Sequence, residues 1–185
     1  MASELDESRI VGRAVEWALG QLGSVDYGLR CLSFVEDAYE IANKIEVFGG
    51  SSARESAELY AASASIGEPP AGAFVFFATE GEVDGELRDW GHVGLALGEG
   101  RMIHAWPEVR VDTIAEFPSL PSGSWSTPVY MGFAPPSRIL EGSRSAATIA
   151  AAEEHPETLP FVTPDEQLAN APSREGLPTH VGDRV

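Results

Sequence analysis

Residues 91–106 read Gly-His-Val-Gly-Leu-Ala-Leu-Gly-Glu-Gly-Arg-Met-Ile-His-Ala-Trp, and the folding of this stretch decides the rest. An alternating run, a glycine-flanked turn and a second short run predict a β-hairpin. Side chains alternate along a strand, so Val93, Leu95 and Leu97 share a face fit for a core. His92, Gly94 and Ala96 share the other face, where a histidine with only small neighbours leaves room for something to approach it.

The turn decides where His104 points. A three-residue loop, Gly98-Glu99-Gly100, with Gly100 left-handed in a bulge, pairs Leu97 with Arg101 and sets Gly94 opposite His104. Opposed residues point to the same side, so His104 and His92 become diagonal neighbours whose rings can meet. A two-residue loop at Glu99-Gly100 would put His104 on the core face, because a one-residue slip reverses every side chain. The three-residue loop is the expectation.

On the N-terminal side, residues 8–22 read as an amphipathic helix. Val11, Val15, Ala18 and Leu22 form its stripe, Ile10, Ala14 and Leu19 widen it, and Gly23 stops it. After a loop over 23–30, Cys31 opens a second helix to about Ala42, with Leu32, Val35, Tyr39 and Ala42 on one side. Ser52 with Glu55 is a capping-box pattern that starts a third helix running to about Ser65. Ala73–Phe77, a short apolar run after turn residues, predicts a buried strand. Residues 79–90 read as an acidic loop and 115–128, rich in Pro and Ser, as a long one. Val109–Thr113 and Val129–Phe133 are further strands, the last stopped by Pro135-Pro136. Helices first and an antiparallel sheet second give an α+β fold with the helices on one side of a small sheet.

Length and composition fit a single domain over residues 1–140. Residues 141–185 hold eight acidic and three basic side chains with few large apolar ones. Such a tail buries too little surface to offset its ordering and is expected to be disordered, with transient helix at Ala146–Ala152 at most. His155 and His180 fall in it and receive no chemical role. The net charge of −17 leaves no basic patch to neutralise phosphates, so neither nucleic acid nor an anionic membrane is an expected partner. A single cysteine excludes an intramolecular disulfide and a Cys-rich zinc site. The opening Met-Ala-Ser-Glu-Leu-Asp-Glu-Ser lacks a basic start and apolar run, and no run reaches the ~18 apolar residues of a membrane span. The chain as written is expected in the cytoplasm, or outside it by a route other than a signal peptide.

Cys31, His92 and His104 are the residues whose chemistry stands out. Cys31 falls at a predicted helix start, where unpaired N–H groups and the helix dipole favour a thiolate, and Arg30 adds to this if it turns inward. A neutral imidazole can take the thiol proton, and a polar group on its other nitrogen fixes tautomer and orientation. His92 is the natural base and His104 the natural orienting group. Two other readings remain open: Cys31 as a small buried hydrophobe, and Cys31, His92 and His104 as three ligands of a catalytic zinc. No local ligand pair supports the metal, and no cofactor is expected. Trp90 and Trp106 flank the hairpin, as rim of a substrate cleft or as ordinary packing. Asp89 is either a contact for a substrate amine or a solvated loop charge, and the acidic loop over 80–89 reads as a lid or a specificity loop.

Three stretches together resemble the NlpC-type cell-wall cysteine peptidases of the papain-like superfamily: Cys31-Leu-Ser-Phe-Val-Glu-Asp-Ala-Tyr39, Pro70-Ala-Gly-Ala-Phe-Val-Phe-Phe77, and Gly91 to Ala105. The resemblance covers roughly residues 9–134. It implies a papain-like core with Cys31 as nucleophile, His92 as general base and His104, twelve residues on, as the third polar residue. It implies cleavage of an amide in peptidoglycan stem peptides, and it sets Tyr27 at the pocket. Cys before His in the chain matches the unpermuted members. The family's Asp-Cys-Ser-Gly is replaced here by Arg30-Cys31-Leu32-Ser33, and the glycine-rich stretch before it is missing; both departures bear on substrate more than on the triad. Without an export signal, a phage lysin, a machine-delivered toxin or a cytoplasmic enzyme acting on recycled peptides would suit the family. The competing readings are a catalytically silent binding module and a thiol acyltransferase or deamidase acting on a protein.

Overall fold

The structure is a computed structural model that describes residues 2–141 and 143–145. Most of the expected tail, including Ala146–Ala152, His155 and His180, lies outside the described residues. Helices α1 (Ala2–Leu19) and α2 (Cys31–Asn43) come first, then a short strand β1 (Ile45–Glu46) and helix α3 (Ala53–Leu59). The strands β2 (Phe74–Ala78), β3 (Glu80–Val83), β4 (Glu86–Asp89), β5 (His92–Gly98), β6 (Arg101–Ala105), β7 (Val109–Thr113) and β8 (Val129–Ala134) follow. Helix α4 (Pro136–Glu141) and strand β9 (Arg144–Ser145) close the described chain. Five strands form an antiparallel sheet in the order β7-β6-β5-β2-β8, with β1 pairing β9 and β3 pairing β4 beside it. The α+β class is as the sequence predicts.

Several boundaries differ from the sequence reading. The first helix ends at Leu19, before Leu22, and the chain continues in turns to Gly23. The Ser52 hydroxyl accepts from the Glu55 N–H at 3.2 Å, as the capping pattern requires. The Glu55 carboxylate turns instead to the N–H and hydroxyl of Ser51. This helix stops at Leu59; left-handed Ala61 separates it from a 3₁₀ turn at Ala62–Ala64. Residues 80–89 are a β-hairpin rather than a loop, turning at Asp84-Gly85, both with positive φ. Asp-Gly is a strong two-residue turn signal, hidden here among acidic neighbours. Glu141 and residues 144–145, assigned above to the tail, belong instead to α4 and β9, the latter paired with Ile45–Glu46.

The central hairpin settles the register by a route between the two expected. Gly98 pairs with Arg101, so the loop is the two-residue Glu99-Gly100, both left-handed. The next pairs are Ala96 with Met102 and Leu95 with Ile103, which leaves Leu97 as a bulge. The bulge absorbs one residue, and the strand beyond it runs in the register that the three-residue loop was expected to produce. Gly94 is then set against His104: a Cβ on Gly94 would stand 3.1 Å from the His104 Cβ.

Both faces of the sheet are covered. On one, α2 packs Phe34, Val35, Ala38 and Tyr39 against Phe74, Phe76, Val93, Leu95 and Ile103. Fully burying each large side chain contributes ~1.5–3 kcal/mol, so this layer fixes the helix to the sheet. The Tyr39 hydroxyl adds a buried donation to the Gly72 carbonyl at 2.7 Å. On the other face a smaller cluster joins Val75, Phe77, Ala96 and Met102 to Phe117. Phe117 opens a 3₁₀ turn, Phe117–Ser119, inside the stretch expected to be an open loop. It packs beside Ala96 and against the rings of Phe77, His92 and His104.

Candidate active site

Strand β5 begins with His92, and β6 presents His104 on the same side. Their side chains are 2 % and 0 % exposed, and His92 Nε2 lies 2.8 Å from His104 Nδ1. On the far side, His104 Nε2 lies 3.0 Å from Asp112 Oδ2. Arg110 grips the same carboxylate with two prongs, Nε to Oδ2 at 2.6 Å and a terminal nitrogen to Oδ1 at 2.9 Å. The row is therefore His92–His104–Asp112–Arg110, crossing three adjacent strands.

The carboxylate orders the protons along it. Burial works against an ionised Asp112, but hydrogen bonds from Arg110 and His104 outweigh it and hold its pKa below the ordinary value. An ionised carboxylate only accepts, so His104 Nε2 carries hydrogen and donates it. Burial pushes His104 down to about 4 despite Asp112, and it pushes His92 well below 6.5, with His104 adding to the effect. Both rings are therefore neutral near pH 7. A neutral His104 with hydrogen on Nε2 has a bare Nδ1, which accepts from His92 Nε2–H. This leaves Nδ1 of His92 as the basic nitrogen.

Phe117 and Trp106 seal the pair. Phe117 stacks on His92 with centroids 4.9 Å apart and meets His104 edge-on at 4.8 Å. Trp106 stands edge-on to His92 at 5.0 Å. These rings are the dry wall that depresses the imidazoles.

Cys31 is the first residue of α2, and the backbone N–H groups of Val93, Leu32 and Cys31 face its sulfur. As expected for a helix start, these amides favour the thiolate. Burial nevertheless outweighs them and pushes the thiol up to about 11, which corrects the expectation of a thiolate in the resting protein. Cys31 and His92 line one cavity of about 610 Å³ together with Trp90, Trp106, Trp125 and Arg30. Among the described residues no group of three His, Cys, Asp or Glu side chains is placed to hold a metal ion.

Other expected residues sort differently. Trp90 and Trp106 line the cavity. Tyr27 does not: its ring packs edge-on against Trp17 and Phe34, and its hydroxyl donates to Asp37 at 2.7 Å. Burial and the Asp37 contact push that hydroxyl up to about 12. Asp89 is outside the cavity lining, and its carboxylate is paired. It accepts from the N–H groups of Thr79 and Gly91 and from Arg54, clasping the start of β5 to α3.

Four contributors escaped the sequence reading: Arg110, Asp112, Phe117 and Trp125. The first two have a signal, since Val-Arg-Val-Asp alternates and Arg110 and Asp112 face the side that His104 occupies. Gly81 had one for Trp125, whose indole lies where a Cβ on Gly81 would sit.

A model of the NlpC/P60 family matches residues 15–125, a span that holds Cys31, His92, His104 and Asp112. The chain belongs to that family. Membership makes it an NlpC-type chain among the cell-wall peptidase-type hydrolases in general, and its α+β architecture is compatible with the family's papain-like fold. A comparison with curated proteins gives no match. No helix among the described residues is long and apolar enough to cross a membrane.

Proposed function

We propose that this NlpC/P60 protein is a cysteine hydrolase that cuts an amide bond in peptidoglycan stem peptides. Cys31 is the nucleophile, His92 the general base and His104 the residue that orients it. The observation that carries the reading is the 2.8 Å contact of His92 Nε2 with His104, which reserves the other ring nitrogen for a thiol in the same cavity.

The two depressed imidazoles and the raised thiol describe a resting pair that is neutral on both sides. The proton therefore moves from Cys31 Sγ to His92 Nδ1 as the sulfur attacks the amide carbon. Negative charge gathers on the carbonyl oxygen, and N–H groups at the start of α2 offer it donors. The carbon–nitrogen bond breaks, the imidazolium gives its proton to the leaving amine, and a thioester remains on Cys31. His92 then takes a proton from water as that water attacks the thioester, releasing the acid and restoring the thiol. His104, with its far hydrogen held by Asp112, stabilises the transient imidazolium.

The test is hydrolysis of purified stem peptides followed by mass spectrometry, with Cys31→Ala and His92→Ala alongside the wild type. New amine and acid ends in equal amounts, lost in both variants, are the expected result. Cleavage that survives Cys31→Ala would overturn the nucleophile. A mass added to Cys31 without release of acid would point to acyl transfer to a protein, a reading that the apolar cavity wall also favours.

A further inference from the structure

The cavity beside Cys31 is chemically one-sided. Trp90, Trp106 and Trp125 share its wall with Leu29, Leu32 and Val83. The indole N–H groups of Trp90 and Trp106 donate to the carbonyls of Glu86 and Pro121, at 3.3 and 3.4 Å. Those rings therefore offer the cavity carbon faces rather than donors. The Arg88 guanidinium holds Trp90 from 3.7 Å, and Trp125 rests on Gly81 and lies 6.1 Å from Trp106.

Charge is just as uneven. Arg30 is the single formally charged side chain in the lining, which includes no Asp or Glu, although the chain carries 29 acidic residues against 12 basic ones. Of the acidic residues next to lining residues in the chain, Asp89 has its oxygens engaged by Arg54 and two backbone N–H groups, and Glu82, Asp84 and Glu108 are exposed and outside the lining.

A free ammonium entering this space would leave water and meet no carboxylate, which is costly. An apolar or aromatic group gains by leaving water and by packing against the indoles. A carboxylate finds a two-pronged partner in Arg30 at the exposed rim.

We propose that the site takes an amide whose group next to the scissile carbonyl is apolar or aromatic, with a carboxylate against Arg30 as its only charge. Substrates with a free ammonium at that position are rejected, so a diamino acid enters only with its side-chain amine acylated. This rests on the reading of Cys31 as the nucleophile and narrows the substrate for it.

Matched peptidyl chloromethyl ketones test the class on the full chain, since the Cys31 sulfur displaces chloride and the adduct is counted by intact mass. The probes carry Phe or Lys beside the reactive carbonyl, each with a succinyl or an acetyl cap. Succinyl-Phe is expected to label Cys31 at least ten-fold faster than acetyl-Lys, and Arg30→Gln to remove the advantage of the succinyl cap. Equal rates for Phe and Lys overturn the proposal while leaving the nucleophile intact. If no probe labels Cys31, the nucleophile fails, and binding to Cys31→Ser read by tryptophan fluorescence decides the ligand class. Succinyl-Phe-amide binding ten-fold tighter than acetyl-Lys-amide upholds that class; equal binding, or none, overturns it.

Discussion

Phe117 lies flat against His92, with ring centroids 4.9 Å apart and planes 27° apart, so the general base proposed for this NlpC/P60 site is covered by a side chain from outside the sheet. The contact keeps water from one face of the imidazole and so contributes to the burial that lowers its pKa. Phe117→Ala is expected to cost ~3–5 kcal/mol in denaturant unfolding, the usual loss for a buried phenylalanine. In Phe117→Leu, which keeps an apolar side chain there, the His92 titration followed by NMR should move up toward 6.5. An unmoved titration would assign the depression to His104 and the other walls.

The pH profile should carry the same mark. His92 is held well below 6.5, so it remains a base through mildly acidic solution, and kcat/KM should fall only well below pH 6.5. The thiol, pushed up to about 11, ionises on its own only in strong base. Alkylation of Cys31 by iodoacetamide should accordingly keep rising beyond pH 9, with no plateau near neutrality. A plateau at pH 5–8 would mean a preformed thiolate–imidazolium pair.

Asp112 is expected to act through His104 rather than on substrate. Asp112→Ala frees His104 Nε2 and lets the ring adopt the other tautomer, which turns a hydrogen toward His92. A fall in kcat of roughly ten-fold or more with KM little changed is expected, by analogy with other carboxylate-oriented histidines. Nitrogen chemical shifts of His104 should report the tautomer exchange directly, a signature that general loosening of the strand would not give.

Glu36 supplies a stability test away from the chemistry. Burial raises its carboxyl to about 7, with Glu40 and Asp37 adding to the shift. Its stabilising effect is therefore complete below about pH 4.5 and is lost as pH rises through 7. Glu36→Gln should match the wild type at pH 4 and exceed it by ~1–2 kcal/mol at pH 8, a figure reduced for partial exposure to solvent. Chemical denaturation at the two pH values measures the difference.

Local pattern carried much of this protein. The hairpin over 92–105 and the start of α2 at Cys31 are legible in the sequence, whereas the placing of both imidazoles on one face depends on a bulge at Leu97 that the glycine pattern does not mark. What was not legible depends on chain segments distant in sequence. Phe117 reaches the histidines from a Pro- and Ser-rich stretch with no periodicity, so nothing local marks it as core. Asp112 becomes a partner only through the pairing of β6 with β7. The acidity of 80–89 suggested solvation, whereas its Asp84-Gly85 turn and the indole of Trp125 against Gly81 made it a cavity wall. The thiol went the other way from the helix-start argument because burial, a property of the whole fold, exceeded what three amides supply.

The bulged Leu97 gives the central hairpin a phase as well as a length. Surface loops commonly gain or lose residues with little consequence. Here the bulge reconciles a two-residue loop with the register of a longer one, so the pairing of the two strands, not the length of the turn, fixes the site. A slip of that pairing by one residue would carry His104 through the sheet to the helix side and bring Ile103 under Phe117. His92 would then face an aliphatic side chain, with Asp112 left holding Arg110 alone. The register of this one hairpin is thus bound as tightly as the identity of the two histidines, and a slip there would silence the site without changing a single residue in it.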